Sequence, residues 1–173
     1  MYRIINFKQH HNPDEAIRYY HGQWGGPDNF AFFDDAMRHA SDSAPHLPRF
    51  YVLLKDERIV GCCGLISADF VSRGDLSPWI CGIFVDPSER GQQLGSRLIA
   101  HAARDAAALG FAAAYINTDH DGYYERYGWQ RIEDGYDLFS GQPTRIYRLA
   151  LADTSQIPTP PISTQPFHTI SHN

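Results

Sequence analysis

The sequence predicts a mixed α/β fold of about six to seven strands and about four helices, and three observations support this prediction. Trp79–Val85 is apolar without polar alternation, as in a strand buried on both faces of a sheet. After Leu94, apolar residues recur every three or four positions, which predicts a helix. Two further strands, Phe50–Lys55 and Arg58–Ile66, are separated by two residues and predict a hairpin.

Local signals place the other elements. Asn12 and Pro13 begin a helix that we expect to end at Tyr20, and Asp28 or Asn29 can cap a second helix. The segment 21–27 between these helices is expected to be a loop. The remaining elements are expected as strands at Tyr2–Phe7, Phe111–Ile116, Gln130–Asp137 and Thr144–Leu151, with one short helix closed by Gly128.

Composition separates a folded domain from a tail. A length of 173 residues with 43% hydrophobic and 13% aromatic residues suits one domain with a sizeable core. We expect residues 1–151 to form that domain. From Ala152 onward, prolines are interspersed with Ser, Thr and Gln, which predicts a Pro-rich tail over 152–173. The tail either stays unpacked or lies along the domain or along the second subunit of a homodimer.

The charge balance and the lengths of the apolar runs indicate which binding partners and which cellular location to expect for the protein. A formal net charge of −5 and lysine only at Lys8 and Lys55 disfavour nucleic acid as a partner. No apolar run approaches the roughly 20 residues of a membrane span and no leader pattern begins the chain, so a cytoplasmic location without membrane contact is expected. The three cysteines form no C-x-x-C pair and are typical of reduced core thiols, and no metal site is expected.

The most informative segment is the loop between the strand Trp79–Val85 and the following helix. Its residues are Arg90-Gly91-Gln92-Gln93-Leu94-Gly95-Ser96. Glycines and free backbone amides at a helix N-terminus form a concave, partly positive anion site, and Arg90 adds a full positive charge. The segment lacks the lysine of a P-loop and the third glycine of a dinucleotide-binding loop. A phosphorylated ligand of another kind is therefore expected.

This loop resembles the acetyl-CoA loop of the GCN5-related N-acetyltransferases (GNAT), whose pattern is Gln/Arg-x-x-Gly-x-Gly/Ala after a buried strand. Arg90 and Gly95 match the pattern, whereas Gln93 stands where the family usually has glycine. A second block follows in the family's order, in which Tyr124, Gly128 and Trp129 match Tyr-x-x-x-Gly-Phe/Trp. On these two blocks the chain is identified as a member of the family, with the resemblance covering about residues 49 to 151.

The resemblance implies the GNAT fold, a mostly antiparallel twisted sheet whose two central strands splay apart. Acetyl-CoA would enter the slot between them, with its pantetheine arm against the first strand and its pyrophosphate on the loop. The resemblance assigns the cofactor to Ile83, Phe84, Val85, Arg90, Gly91, Gln92, Gln93, Leu94, Gly95, Ser96, Asn117 and Tyr124. Gly82 predicts a bulge or a close backbone approach, and a strand amide near it would polarise the thioester carbonyl.

The implied reaction moves an acetyl group from acetyl-CoA to a primary amine by direct attack, without a covalent enzyme intermediate. Tyr124 would act as the general acid that protonates the departing thiolate. Its neighbours Tyr123 and Tyr127 are expected to be packing aromatics.

The general base stays open at this point. The candidates are Asp119 and His120 after the second strand, Asp69 and Asp75 before the first strand, and a water chain to solvent. A nucleophilic Cys81 on the first strand is a minor alternative to direct transfer.

The acceptor pocket of the family is usually built by the first two helices and their loop, which here supply Trp24, Asp28, Phe30 and Phe33. Aromatic and acidic side chains together suit a cationic amine. We expect a small-molecule amine, with the amino group of a protein or peptide as an alternative. A non-catalytic module that binds acyl-CoA is the alternative from another class, which Gln93 and the lack of an acid on the first strand favour.

Overall fold

Seven strands form one sheet in the computed structural model, which describes residues 1–41 and 46–151. They are β1 (Tyr2–Asn6), β2 (Arg49–Lys55), β3 (Arg58–Ile66), β4 (Trp79–Val85), β5 (Ala113–Thr118), β6 (Gln130–Tyr136) and β7 (Pro143–Ala150). Their order across the sheet is β1-β2-β3-β4-β5-β7-β6. Every neighbouring pair is antiparallel except β4–β5, which is parallel. The mixed, mostly antiparallel fold is therefore confirmed.

Three α-helices lie within the described part of the chain: α1 (Pro13–Trp24), α2 (Phe30–Arg38) and α3 (Leu94–Ala108). The fourth expected helix is a short 3₁₀ helix, Tyr124–Tyr127, which ends at Gly128 with a φ of 83°. In these ranges no helix has the length and apolar character that crossing a membrane requires. The predicted tail 152–173, and residues 42–45 of the loop before β2, lie outside the described residues.

The end of α1 differs from the prediction. The helix continues through Gly22 to Trp24 instead of stopping at Tyr20, so the expected loop after it is shorter. A glycine inside a helix costs about 1 kcal/mol relative to alanine. Contacts of the last turn offset this cost, since the indole nitrogen of Trp24 donates a 3.0 Å hydrogen bond to the carbonyl oxygen of Gly82. The tertiary contact therefore overrides the local signal.

One strand and one helix start also differ from the prediction. The strand β5 is shifted by two residues to Ala113–Thr118, because Asn117 and Thr118 still find antiparallel partners on β7. Asn29 occupies the N-cap position of α2 without capping it, since its side chain accepts a 2.7 Å hydrogen bond from the amide of Gly26 instead.

The sheet is buried on both faces at its centre, which explains its continuous apolar strands. On β2, Tyr51 and Leu53 pack in the core beneath α3, whereas Phe50, Val52 and Leu54 pack in the core with α1 and α2. Since side chains alternate between the two faces of a strand, each face of β2 carries its own apolar row. The result is a sheet sandwiched between α3 and the α1–α2 pair.

The two central strands β4 and β5 separate almost as soon as they meet. Their only ladder pair is Trp79 with Tyr115, at the very start of β4. Further along, Gly82 has a φ of 57° and the register of β4 on β3 shifts beside it. A Cβ atom at Gly82 would lie 2.0 Å from the Tyr20 hydroxyl. The expected bulge and the expected close approach thus occur at the same residue.

A buried carboxylate that the sequence analysis did not single out anchors the loop after β4. Glu89 accepts hydrogen bonds from the Tyr2 hydroxyl (2.6 Å), the Lys55 ammonium (3.0 Å) and the Arg58 guanidinium (3.0 Å). The Tyr2 hydroxyl also accepts a 3.1 Å bond from the Gln92 amide. The hydrogen bonds from Tyr2 and Lys55 lower the pKa of Glu89 below its ordinary value. The start of the loop is therefore tied to β1, β2 and β3.

We predict that Glu89→Gln lowers the melting temperature at pH 7 by about 3–6 °C, because it weakens hydrogen bonds to charged groups. A carboxyl with a lowered pKa stabilises the fold above its ordinary pKa and loses that contribution as the pH falls. The difference between wild type and variant should therefore shrink as the pH falls below the ordinary pKa of a glutamate. Thermal melts across pH measure it, with the exposed Glu57→Gln as control. Equal effects of the two variants would contradict the anchoring role.

Candidate active site

A cleft of about 600 Å³ opens where β4 and β5 separate. Its lining comes from the second half of β4, the loop before α3, the first turns of α3 and the segment after β5. The lining residues are Ile83, Phe84, Val85, Arg90, Gly91, Gln93, Leu94, Gly95, Ile99, His120, Tyr123, Tyr124 and Tyr127. Most of the residues predicted to hold the cofactor are thus gathered in one cleft.

The floor of the cleft beside α3 is electropositive. The first turn of α3 contains no acidic residue and no side chain caps it. The amides of Leu94, Gly95 and Ser96 precede the first N–H that an α-helix bonds internally, so they remain available to an anion. The Nε of Arg90 donates a 3.1 Å bond to the Val85 carbonyl, which holds the guanidinium 5.8 Å from the ring centre of Phe84. The charge therefore sits at the rim of the cleft.

Gln93, the departure from the loop pattern, lies immediately before α3 in a left-handed conformation with a φ of 57° and a ψ of 23°. Glycine adopts this region readily, whereas a residue with a Cβ atom is strained there by about 1 kcal/mol. The backbone geometry that the pattern's glycine would favour is thus present, and a glutamine holds it. The Gln93 residue also lines the cleft.

Tyr124 reaches the cleft from the short 3₁₀ helix and is almost fully buried. Its ring packs edge-on against Trp129 and lies 5.4 Å from the ring centre of Tyr147. Burial raises the pKa of Tyr124, and a hydrogen bond with Thr118 only partly opposes that rise. The phenol therefore keeps its proton at neutral pH. Because Tyr124 lines the cleft with its phenol protonated, it has the chemistry that a general acid requires.

Two aromatics expected only to pack also line the cleft. Tyr123 and Tyr127 stand beside Tyr124 in the lining, with their ring centres 5.5 Å apart. Residues three apart lie on the same side of a 3₁₀ helix, so Tyr124 and Tyr127 face the cleft together. Burial raises the pKa of Tyr123 to about 12, which leaves it protonated as well. The three-residue spacing of Tyr124 and Tyr127 was the available signal in the sequence, since it places both residues on one side of a short 3₁₀ helix.

Three residues predicted to hold the cofactor do not line the cleft. The side chain of Gln92 bonds to Tyr2 and to the Glu89 carbonyl. The Ser96 hydroxyl donates a 2.8 Å bond to the Gln93 carbonyl, and Ser96 lines a separate small cavity together with Tyr124. The Asn117 side chain turns to the other side and donates a 2.6 Å bond to Asp69. Their roles toward a cofactor stay predictions.

The candidates for a general base occupy different settings. Asp119 is exposed and lies outside the lining of the cleft, whereas His120 is exposed at its edge. Asp75 is exposed and forms a 2.6 Å ion pair with Arg73. Asp69 belongs to the loop after β3 and is partly buried beside the end of β5. Its carboxylate accepts hydrogen bonds from the Asn117 side-chain amide and, at 2.8 Å, from the backbone N–H of Phe70.

Burial distinguishes Asp69 from the other acids. It raises the pKa of the Asp69 carboxyl above its ordinary value, and the two hydrogen bonds only partly oppose the rise. A carboxylate with a raised pKa is a better proton acceptor than an exposed one. Cys81 lies near Asp69, and burial together with that negative charge raises the pKa of its thiol far above the ordinary value. The thiol is therefore neutral at pH 7 and unsuited to act as a nucleophile.

The residues predicted for the acceptor pocket surround the C-terminal end of α1. Trp24 is 48% exposed and bonds to β4 at Gly82. Phe30 and Phe33 both pack edge-on against His21, with ring centres 5.1 and 5.4 Å away. Asp28 is exposed in the turn between α1 and α2. The three aromatic residues thus belong to one surface beside the bulge of β4.

Further exposed aromatics extend this surface. Phe32 of α2 lies 6.3 Å from Phe70, and Phe70 lies 5.2 Å from Phe139 between ring centres. Phe70 and Phe139 belong to the loop before β4 and the turn after β6, which are linked by backbone bonds such as Leu138 N–H to the Phe70 carbonyl. We call Phe32, Phe70 and Phe139 the aromatic rim. Asp69 directly precedes Phe70, so an acid lies next to this apolar rim.

Comparisons with known proteins agree with this geometry. The sequence matches the acetyltransferase (GNAT) family over residues 12–129. The chain therefore belongs to the GNAT acetyltransferase family. A comparison with curated protein sequences gave no significant match.

Solved structures with the same fold share little sequence with this chain. An aminoglycoside 6'-N-acetyltransferase complexed with coenzyme A is 16% identical, with a TM-score of 0.64 over 87% of this chain and 98% of its own. A putative GNAT acetyltransferase from Desulfovibrio desulfuricans is 19% identical, with a TM-score of 0.63 over 88% and 100%. A GNAT acetyltransferase from Elizabethkingia anophelis with acetyl-CoA bound is 15% identical, with a TM-score of 0.60 over 86% and 97%.

We predict that Gln93→Gly stabilises the protein by up to about 0.6 kcal/mol. Relief of the left-handed strain outweighs the extra entropy that glycine gives to the unfolded chain. Urea unfolding measures the change, and Gln92→Gly is the matched control. This neighbour has no positive φ and loses its bonds to Tyr2 and Glu89, so we expect it to destabilise. A destabilising Gln93→Gly would mean that the side chain contributes more to the loop than its strain costs.

Proposed function

We propose that this protein is an N-acetyltransferase that moves the acetyl group of acetyl-CoA directly to a primary amine. The observation that carries the proposal is the position of the Tyr124 phenol, a protonated donor in a cleft between two separating strands. Support also comes from the family to which the chain belongs. Two of the structures with the same fold were solved with coenzyme A or acetyl-CoA bound.

The cleft has the features that bind each part of acetyl-CoA. The pyrophosphate lies on the amides at the start of α3, where the helix dipole and Arg90 supply positive charge. The pantetheine arm follows Ile83 and Val85, since the edge of β4 that faces β5 has no strand partner beyond Trp79 in the described ladder. The arm thus takes the place of a neighbouring strand. The thioester then lies between Gly82 and Tyr124.

The reaction needs one bond formed, one broken and two proton transfers. The amine nitrogen attacks the thioester carbonyl carbon, and the bond between that carbon and sulphur breaks. Tyr124 gives its proton to the departing thiolate, and Asp69 takes the proton that the amine loses. A backbone amide near the bulge of β4 polarises the carbonyl oxygen. The high pKa of the Cys81 thiol supports direct transfer over a covalent intermediate.

The surroundings of Asp69 indicate the class of amine. A partly buried carboxylate attracts an ammonium group, and the aromatic rim beside it offers flat apolar faces that bind cations and hydrocarbon alike. We therefore propose a small-molecule amine with an apolar or ring-bearing body. A peptide amino group is the second candidate.

The test of this function is release of CoA thiol from acetyl-CoA by the purified protein. A panel of polyamines, aminoglycosides, aryl-alkylamines and peptides should contain acceptors that accelerate release above the rate without amine. Tyr124→Phe should lower kcat by about 100-fold, because the general acid is lost. Its affinity for CoA should remain within about threefold.

Tyr127→Phe is the matched control, since it removes a hydroxyl from the same cleft, and its kcat should remain within about threefold of wild type. Tight CoA binding without thiol release across the panel would contradict the proposed transferase activity. It would favour the alternative of a non-catalytic module that binds acyl-CoA. An unchanged kcat of Tyr124→Phe would rule out Tyr124 as the general acid, but it would not contradict the transferase activity.

The role of Asp69 predicts a particular pH profile. A base acts only when deprotonated, so kcat/KM should rise with pH through the raised pKa of Asp69. A second rise at higher pH is expected from deprotonation of the amine itself. Asp69→Asn should abolish the lower rise and reduce kcat/KM at pH 7 by about 100-fold. Asp75→Asn, on the same loop but exposed and paired with Arg73, should leave the profile unchanged. A lower rise that persists in Asp69→Asn would assign the base elsewhere.

A further inference from the structure

Three potential metal ligands meet where β1 leads into α1, at a place that belongs neither to the cleft nor to the acceptor surface. One ring nitrogen each of His10 and His11 and one carboxylate oxygen of Glu15 lie within 4.8 Å of one another. His10 follows the short 3₁₀ helix Phe7–Gln9, and Glu15 lies in the first turn of α1. The cluster therefore joins the end of one element to the start of the next.

The buried member of the cluster has an unused nitrogen. His10 is only 4% exposed. Its Nδ1 lies 2.9 Å from the Asn12 carbonyl oxygen, a contact that requires Nδ1 to carry the ring proton. The alternative contact, from the Asn12 amide to Nδ1, is longer at 3.3 Å. In the neutral ring the proton on Nδ1 leaves Nε2 with a lone pair.

That lone pair is not satisfied by the protein. The Nε2 of His10 is buried without a hydrogen-bond partner among the residues that the structure describes. Buried polar atoms of this kind are rare, because leaving one unsatisfied costs free energy. His10 offers one ring nitrogen to the group with His11 and Glu15, and because Nδ1 is engaged with Asn12, Nε2 is the nitrogen whose lone pair can bind a metal ion. Its Nδ1–H bond to a carbonyl is also the outer contact that orients metal-binding histidines.

The other two ligands can complete a site because their side chains are exposed at the surface. His11 and Glu15 are exposed, and the His11 ring lies 4.2 Å from the His10 ring between centroids. The Glu15 backbone is fixed, since its amide bonds to the Asn12 side chain at 3.3 Å. Ligands of one tetrahedral zinc ion lie about 3.3 Å apart. The three ligand atoms lie within 4.8 Å of one another, so binding of one ion requires the exposed side chains of His11 and Glu15 to rotate inward.

We propose that His10, His11 and Glu15 bind one divalent transition metal ion, with zinc as the ion that fits them best and water as the fourth ligand. Two imidazole nitrogens and one carboxylate disfavour calcium and magnesium, which prefer oxygen ligands alone. They suit zinc, which binds histidine and carboxylate in tetrahedral geometry.

The position indicates a structural role. Trp24, which contacts β4 beside the cleft, lies nine residues beyond Glu15, or about 14 Å at 1.5 Å per residue of helix. The ion is too far from the reacting atoms to take part in acetyl transfer. Its ligands flank the start of α1, so it fixes that helix relative to β1. The proposal is thus independent of the proposed function.

The test uses the full-length protein after removal of metal with a chelator and buffer exchange. Titration with zinc chloride should show one site per chain by calorimetry. Cobalt(II) should give the visible absorption of a tetrahedral complex. Saturating zinc should raise the melting temperature by about 5 °C. Glu15→Gln and His11→Asn should each lower zinc affinity at least tenfold and remove most of this stabilisation. Both side chains are exposed, so these variants should fold.

The chain has nine histidines, so binding elsewhere needs a control. His39→Asn changes an exposed histidine on the surface after α2 and should keep the wild-type zinc affinity. Absence of saturable zinc binding at micromolar concentrations would overturn the proposal. So would binding that Glu15→Gln and His11→Asn leave unchanged, because the ion would then lie at other residues.

Discussion

The separation of β4 from β5 is the constraint on which the rest of the molecule depends. A strand in the middle of a sheet normally satisfies its backbone groups on both edges, and leaving them unpaired is costly. Here β4 stays bonded to β3, while its other edge is released after Trp79. The bulge at Gly82 lies three residues further along β4, where Trp24 bonds to the Gly82 carbonyl and the Tyr20 hydroxyl leaves no room for a side chain. The start of α3 and the 3₁₀ helix of Tyr124 then form the two walls of the opening. A ligand with amide groups of its own can restore the missing hydrogen bonds.

Much of this architecture could be predicted from local sequence signals. The β2–β3 hairpin, the periodicity of α3 and the unbroken apolar run of β4 each specify their element without reference to distant residues. The predicted boundaries of α1 and β5 were wrong because the true ones depend on tertiary contacts. α1 extends through Gly22 because Trp24 reaches β4, and β5 shifts because β7 supplies partners for Asn117 and Thr118. No local pattern carries that information.

The candidate site likewise combines features that local sequence predicts with features that depend on tertiary contacts. The loop before α3 was predicted from its own residues and Tyr124 from the resemblance of its block to the GNAT pattern, and the structure brings both to one cleft. The hydrogen bonds of Glu89 join residues that lie 31 to 87 positions apart, so no local sequence motif predicts them. The distinction between Asp69 and Asp75 is likewise invisible in the sequence, since both are aspartates in one polar segment. Burial beside Asn117 separates one from the other. Charge and spacing in the sequence thus suggest candidate site residues, and only their burial and contacts in the fold distinguish between them.

The unequal burial of the three tryptophans gives the molecule a built-in optical reporter. Trp79 and Trp129 are 0% and 3% exposed, whereas Trp24 is 48% exposed and its indole nitrogen bonds to the bulge of β4. Indole emission shifts to longer wavelength in water, so the red edge of the intrinsic fluorescence comes mainly from Trp24. A molecule that arrives beside the bulge changes the hydration of that one ring and leaves the other two in the same apolar surroundings. Binding of a molecule beside the bulge can therefore be followed without a label.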